Sequence, residues 1–187
     1  MTAPYSAAFL RAIEFILPHE NDYARGHWGD AAFVITEHVS GDNGGATKYG
    51  IDSASHPGIN IDALTRPAAI AIYHAEWLSH TLDSLPEKLA ICCEDVWVNG
   101  GHAWLWLQNA INESRPSSSS PRLEVDGDLG PATIAAAKAC DQTAVAAAFL
   151  KERDERFDML ADNNGHDRQF LAGWLQRDKD LRAFLTA

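Results

Sequence analysis

A glutamate, Glu20, follows the apolar run Ile16-Leu17-Pro18-His19, and a glycine-rich stretch bearing Asp42 and Thr47 comes after it. Cleaving a glycosidic bond needs a carboxylic acid that stays protonated near neutral pH, so that it can protonate the leaving oxygen. Burial against apolar side chains raises a carboxyl pKa by disfavouring the charged form, and Glu20 is placed for half-burial of that kind. The opposite wall of such a site must supply a second polar group, which stabilises oxocarbenium charge or activates a water. Asp42 together with Thr47 meets that requirement. Gly44, Gly45 and Gly50 permit tight turning and a close approach of a polymer to the backbone. Each residue also has a plainer reading. A glutamate after a helix is commonly solvated, Asp42 in a Gly/Asn cluster is a turn former, and Thr47 is a strand residue. Spacing alone stops at an α-rich soluble domain.

Apolar periodicity outlines the elements that must carry these residues. Phe9, Ala12, Ile13, Ile16 and Leu17 fall on one helical stripe between Tyr5 and Leu17, with Ser6 as N-cap and Pro18 as the stop. Residues 19–29 read as a polar loop. Phe33 to Val39 alternates like a strand, Gly41 to Gly45 supplies turn chemistry, and Ala46 to Ile51 is the return strand of one small β-hairpin, about 33–51. The rest is predicted to be helical. Thr65 and Pro67 begin a helix whose stripe is Ile70, His74, Trp77 and Leu78. Two helical stretches in 87–113 are broken at Asn99-Gly100-Gly101, and Pro116 to Pro121 is an exposed serine-rich loop. Asp126 to Pro131 turns into an alanine-rich helix. A long helix after Asp141 uses Val145, Ala148, Phe149 and Phe157, and a last one sets Phe170, Trp174, Leu181 and Leu185 on one side.

Composition bounds the function. With 187 residues, 46% of them hydrophobic, the chain can bury a real core, and it reads as one domain or a domain with a modest appendage. A formal net charge of −11 weighs against nucleic acid as a partner, because phosphate neutralisation needs a basic footprint. Cys92, Cys93 and Cys140 are odd in number, two of them adjacent, and read as reduced, partly buried thiols. The eight histidines form neither an HExxH pattern nor a Cys/His cluster, so no metal and no cofactor is expected. No uncharged apolar run reaches the roughly 18–20 residues of a membrane span. The N-terminal stretch lacks the basic region of a secretory signal, which predicts synthesis in the cytoplasm and a separate exit route for any work outside it. A monomer is expected.

Four motifs in order add a family resemblance. Asp42-Asn43-Gly44-Gly45-Ala46-Thr47-Lys48-Tyr49-Gly50-Ile51 resembles the D-x-G-G-x-T-x-x-G-I signature of glycoside hydrolase family 108, lysozyme-like N-acetylmuramidases that include many bacteriophage endolysins. Glu20-Asn21-Asp22-Tyr23 resembles that family's E-G-G-Y, whose glutamate is the catalytic acid. Asp95 to Gly101 followed by Leu107-Gln108 is similar to its D-x-x-V-N-x-G and L-Q stretch. Val125 to Thr133 resembles the D-G-x-x-G-P-x-T motif of a predicted peptidoglycan-binding C-terminal half, and Arg153, Arg156-Phe157, Phe170 to Trp174 and Arg177 resemble its closing pattern.

The resemblance implies a mainly α, lysozyme-like α+β fold, with a catalytic part at 1–88 and a helical peptidoglycan-binding part at 89–187, packed as one unit. It implies holin-type release from the cytoplasm and then hydrolysis of the β-1,4 bond between N-acetylmuramic acid and N-acetylglucosamine in peptidoglycan. Glu20 would be the general acid, Asp42 the base or electrostatic stabiliser, and Thr47 the residue that positions water or Asp42. Residues 24–40 read as an insertion relative to the family. Glu37 and Asp30 are therefore alternatives to Asp42, which keeps the family's offset to Thr47. Tyr49, Trp97 and Asn99 are candidate substrate-binding residues. Trp97, with Trp104 and Trp106, has the flat faces that stack on sugar rings, or is core. Asn99 can bond an N-acetyl group, or cap a helix break. Asn21 and Asp22 replace two family glycines, which leaves open a different class of function, a non-catalytic wall-binding or regulatory protein on the same scaffold.

Overall fold

In the computed structural model, residues 5–20, 46–116, 121–165 and 167–187 are described, together with the backbone of 37–38. Phe33 to Ile35 of the expected strand, the turn at 41–45, Asp30 and Asp42 lie outside them. Two compact units emerge, Met1–His80 and Thr81–Ala187. Residues 81–88, grouped with the first part on sequence, belong to the second unit. A 3-10 turn at Leu82–Ser84 packs onto the helix that follows it and carries the buried Leu82.

The first unit holds helix α1 (Ala7–Glu20), a three-stranded antiparallel sheet and helix α2 (Arg66–Ser79). Ser6 caps α1 as expected, its Oγ accepting from Phe9 N at 3.2 Å. The predicted stripe is buried, with Phe9, Ala12 and Ile16 fully inside. Burying side chains of the size of Phe9 and Ile16 is worth roughly 1.5–3 kcal/mol each. Phe9 meets Trp77 of α2 edge-on, ring centroids 5.6 Å apart.

Pro18 does not stop α1, which runs on to Glu20. A proline in the last turn removes one hydrogen bond, the one to the carbonyl of Glu14, and Glu14 is exposed so that water can meet that oxygen. On α2 the buried stripe is Ala69, Tyr73 and Trp77 rather than the set expected: Leu78 is 52% exposed. Thr65 caps this helix, and proline stands in its first turn.

The sheet also departs from a single hairpin. Strand β1 (Glu37–His38) pairs with β2 (Ala46–Lys48), which pairs with β3 (Ile51–Asp52), in spatial order β1-β2-β3. The expected return strand is therefore interrupted after Lys48 by a two-residue turn, Tyr49-Gly50, with both residues left-handed (φ 57° and 76°). Positive φ at both positions is the pattern of a type I′ turn, whose twist suits a tight hairpin.

The second unit is helical: α3 (Glu87–Asn99), α4 (Ala103–Ser114), α5 (Pro131–Ala139), α6 (Gln142–Asn163) and α7 (Leu171–Thr186). Helix α6 is central and packs on α3, α4 and α7. The break at 99–101 falls as expected, Pro131 opens α5, and Asp141 caps α6 by accepting from the Thr143 and Ala144 amides. Phe170 is the exception on the last stripe, 46% exposed, because it precedes α7; its ring lies tilted against Trp174, centroids 5.9 Å apart. Trp174 instead stacks on Phe157, centroids 5.0 Å apart.

Two polar clusters hold this unit together, and both use residues of the sequence motifs. Asp95 is fully buried; its Oδ2 accepts from Arg153 Nη1 at 2.6 Å, and its Oδ1 from Arg177 Nε and Nη2 at 2.9 and 2.7 Å. Burial pushes this carboxyl up, but the Arg177 and Arg153 charges outweigh it and bring the pKa down to about 2. Arg153 Nε also faces Asp178 Oδ1 at 3.2 Å. Burial raises Asp178 to about 7 against the pull of Arg153, with Asp95 and Asp154 adding to the rise. In the second cluster Gln108 donates to Asp126 Oδ1 (2.6 Å), Asp128 O (3.0 Å) and Thr133 Oγ1 (3.2 Å), and accepts from Gly127 N (3.0 Å). The L-Q and D-G-x-x-G-P-x-T motifs are thus one structural joint.

Candidate active site

Glu20 occupies the final turn of α1, on the helix rather than in the loop expected, so its Cα is fixed by the buried stripe that precedes it. Its neighbour His19 turns back on that helix: Nδ1 donates to the Phe15 carbonyl at 2.8 Å, and its ring packs on Phe15 with centroids 4.1 Å apart. A carbonyl only accepts, so Nδ1 carries the hydrogen.

The side chain of Glu20 lies against the Tyr49-Gly50 turn. A Cβ placed on Gly50 would stand 2.8 Å from Glu20 Cγ, 2.8 Å from Glu20 Oε2 and 2.7 Å from the Tyr73 hydroxyl. The glutamate of the first motif and the last glycine of the second therefore meet, and the space that glycine leaves empty is the seat of the carboxylate. Gly50 is required twice, by this approach and by its positive φ.

Tyr73 completes the arrangement from α2. Its buried hydroxyl donates to the Tyr49 carbonyl at 2.8 Å. A non-glycine residue in the left-handed region costs about 1–2 kcal/mol, so the bond falls on a part of the backbone that needs holding. Tyr73 was not singled out from sequence. Its signal was a tyrosine on a buried helical stripe, where a hydroxyl must find a partner.

Thr47 sits at the centre of the sheet on β2, paired with Glu37 of β1 on one side and Asp52 of β3 on the other. Directly opposed residues in a sheet share a face, so Asp52 is a carboxylate beside Thr47 that sequence reading missed. Its Oδ1 accepts from the Ser55 amide at 2.8 Å and the Ala54 amide at 2.9 Å. Those bonds, the one to Ser55 first, hold the carboxyl below its ordinary value, and they give Asp52 a turn-forming role. Asp42 lies outside the described residues, as does the side chain of Glu37.

The three candidate binding residues separate. Tyr49 is 5% exposed, so it offers the turn's backbone rather than an open ring face. Trp97 and Asn99 belong to the second unit. Trp97 pairs edge-on with Trp104, centroids 5.6 Å apart and both half-buried. Asn99 donates through Nδ2 to the Asp95 carbonyl at 2.9 Å, one turn back, which is the capping reading of the two considered. Among the described residues no three His, Cys, Asp or Glu side chains converge as a metal site requires, and no helix is long and apolar enough to cross a membrane.

Residues 35–101 match the glycosyl hydrolase 108 family, and residues 102–179 match a predicted peptidoglycan domain. The junction of the two falls at the Gly100–Gly101 break between α3 and α4. The first match includes Thr47 and Gly50 and begins downstream of Glu20. The fold is similar to that of a solved structure, SagA of Brucella abortus, with a TM-score of 0.61 and 24% identity over 81% of this chain and 85% of that one. No sequence among curated proteins matches the chain. The architecture is lysozyme-like α+β, mainly helical with one small antiparallel sheet.

Proposed function

We propose that this chain, a glycoside hydrolase in which a family 108 region precedes a predicted peptidoglycan domain, is an endolysin-type muramidase. It cleaves the β-1,4 bond between N-acetylmuramic acid and N-acetylglucosamine in peptidoglycan. The observation that carries this reading is the contact of Glu20 with Gly50, which joins the first motif's glutamate to the turn of the second. Glu20 protonates the leaving oxygen. Asp42, at the family's offset from Thr47, stabilises the developing charge or activates water, and Thr47 orients it. In this reading the protein reaches the wall through holin-type release from a bacterial cytoplasm.

Glu20→Gln keeps the shape of the side chain and removes its proton, so release of reducing sugar from purified cell walls should disappear while the thermal transition stays in place. Mass spectrometry of wild-type products should show muramyl reducing ends. Substantial activity in Glu20→Gln would refute the assignment of the acid. Binding to insoluble peptidoglycan without clearing by the wild type would favour the wall-binding protein instead.

A further inference from the structure

We propose that Tyr73 is a positioning residue for Glu20: its hydroxyl pins the left-handed Tyr49-Gly50 turn against which the Glu20 side chain is seated. The inference rests on Glu20 being the acid, and it reaches a residue on another element, far along the chain from either motif.

Three observations meet at one point. The Tyr73 hydroxyl donates to the Tyr49 carbonyl at 2.8 Å from inside the core. Tyr49 holds a φ of 57°, which a side-chain-bearing residue keeps only when its surroundings impose it. The Tyr73 oxygen and Glu20 Oε2 both crowd the spot that a Cβ on Gly50 would occupy, at 2.7 and 2.8 Å. Strain of this sort persists where the fold over-determines it, and here the element that over-determines it is α2. That helix is anchored by Trp77, fully buried one turn beyond Tyr73. The chain of support runs from the α2 stripe, through one hydroxyl, to the turn, and from the turn to the carboxylate.

Removing the hydroxyl lets Tyr49 relax from the left-handed region and moves the surface beneath Glu20. A misplacement of about 1 Å can cost about a hundredfold in rate with little effect on binding. A residue that only stabilised the fold would lower the melting temperature and leave turnover unchanged at a temperature where the protein is folded.

The test compares full-length wild type, Tyr73→Phe, Gly50→Ala and Glu20→Gln on soluble glycan strands released from peptidoglycan, with kcat and KM measured separately and folding checked by cooperative melting. Tyr73→Phe is expected to lose at least tenfold in kcat with KM within twofold of wild type, and Gly50→Ala to lose as much or more with the same pattern. Should Tyr73→Phe fail to fold, Gly50→Ala probes the same seat from the turn. Tyr73→Phe with kcat within twofold of wild type, or with the loss confined to KM, overturns the proposal while leaving Glu20 in place. An active Glu20→Gln overturns the acid assignment itself, and the positioning role with it.

Discussion

The buried carboxylate Asp178 makes the second unit's stability depend on pH in a direction opposite to ordinary acid denaturation. Its folded value of about 7 stands above its ordinary 3.8, so folding takes up a proton at this site. The resulting advantage is complete at and below the unfolded value. It declines as pH rises and is lost once pH passes the folded value. Asp95 runs the other way: lowered to about 2, it favours the fold above pH 4 and loses that advantage as pH falls toward 2. The two together place the optimum of this cluster in the mildly acidic range.

When Asp178 is protonated its hydroxyl can donate to the neighbouring Asp154 carboxylate, which favours the neutral form. At about 1.4 kcal/mol per pKa unit, the Asp178 effect amounts to about 2–4 kcal/mol between pH 5 and 8. With a urea m-value of about 1–3 kcal/mol/M, the unfolding midpoint should fall by about 1 M over that range. Asp178→Asn keeps an acceptor for Arg153 and offers Asp154 an amide donor without titrating, so its midpoint should be flat across the same window. Circular dichroism in urea reports the transition, and labelling of the buried thiols Cys92 and Cys93 reports opening of this unit in particular. A wild-type midpoint unchanged from pH 5 to 8, or an equal fall in Asp178→Asn, would refute the reasoning.

Further outcomes follow from other contacts. Gln108→Leu removes the donor to Asp126, Asp128 and the buried Thr133 hydroxyl and the acceptor for Gly127 N, so the denaturant unfolding midpoint should fall. Gly101→Ala drives a methyl to 2.7 Å from Val96 Cγ1 and 2.8 Å from Trp106, so about 1–3 kcal/mol should be lost in a thermal or urea titration. If Asn99 serves as a cap through its bond to Asp95, Asn99→Ala should leave KM for glycan strands within about twofold, and a tenfold rise would restore it as a sugar ligand. The net charge of −11 repels an anionic wall until salt screens it over about 8 Å near 0.15 M. Clearing of cell walls should therefore rise from low to moderate ionic strength, and a steady fall from the lowest salt would contradict this.

Most of the helices could be read from the chain because their signals are local. Ser6, Thr65, Pro131 and Asp141 announce helix starts through bonds or dihedrals within a few residues, and the Phe9 to Leu17 stripe is a matter of period. Pro18 misled because the rule for proline assumes a helix interior, whereas here only one bond near the end is affected. The Tyr49-Gly50 turn stayed hidden because a tyrosine with positive φ is unfavourable by itself and is imposed by Tyr73, 24 residues away. Asp95, Arg153 and Arg177 were visible as a pattern but not as a cluster, since 58 and 82 residues separate the partners. Of the Glu20 seat, the need for a glycine at Gly50 was readable. The seat itself was not, because it is made where three elements converge.

The end of α1 has a consequence for how this site tolerates change in length. Glu20 is held by its own helix and by contact at Gly50, so the number of residues joining that helix to the sheet does not enter the geometry of the pair. Loop closure grows only as a logarithm, about 0.6 kcal/mol for each doubling. An insertion between that helix and the sheet is thus thermodynamically inexpensive. The spacing between Glu20 and Gly50 can therefore change without the contact being lost, and a search by fixed spacing would pass over chains that keep the contact at another separation.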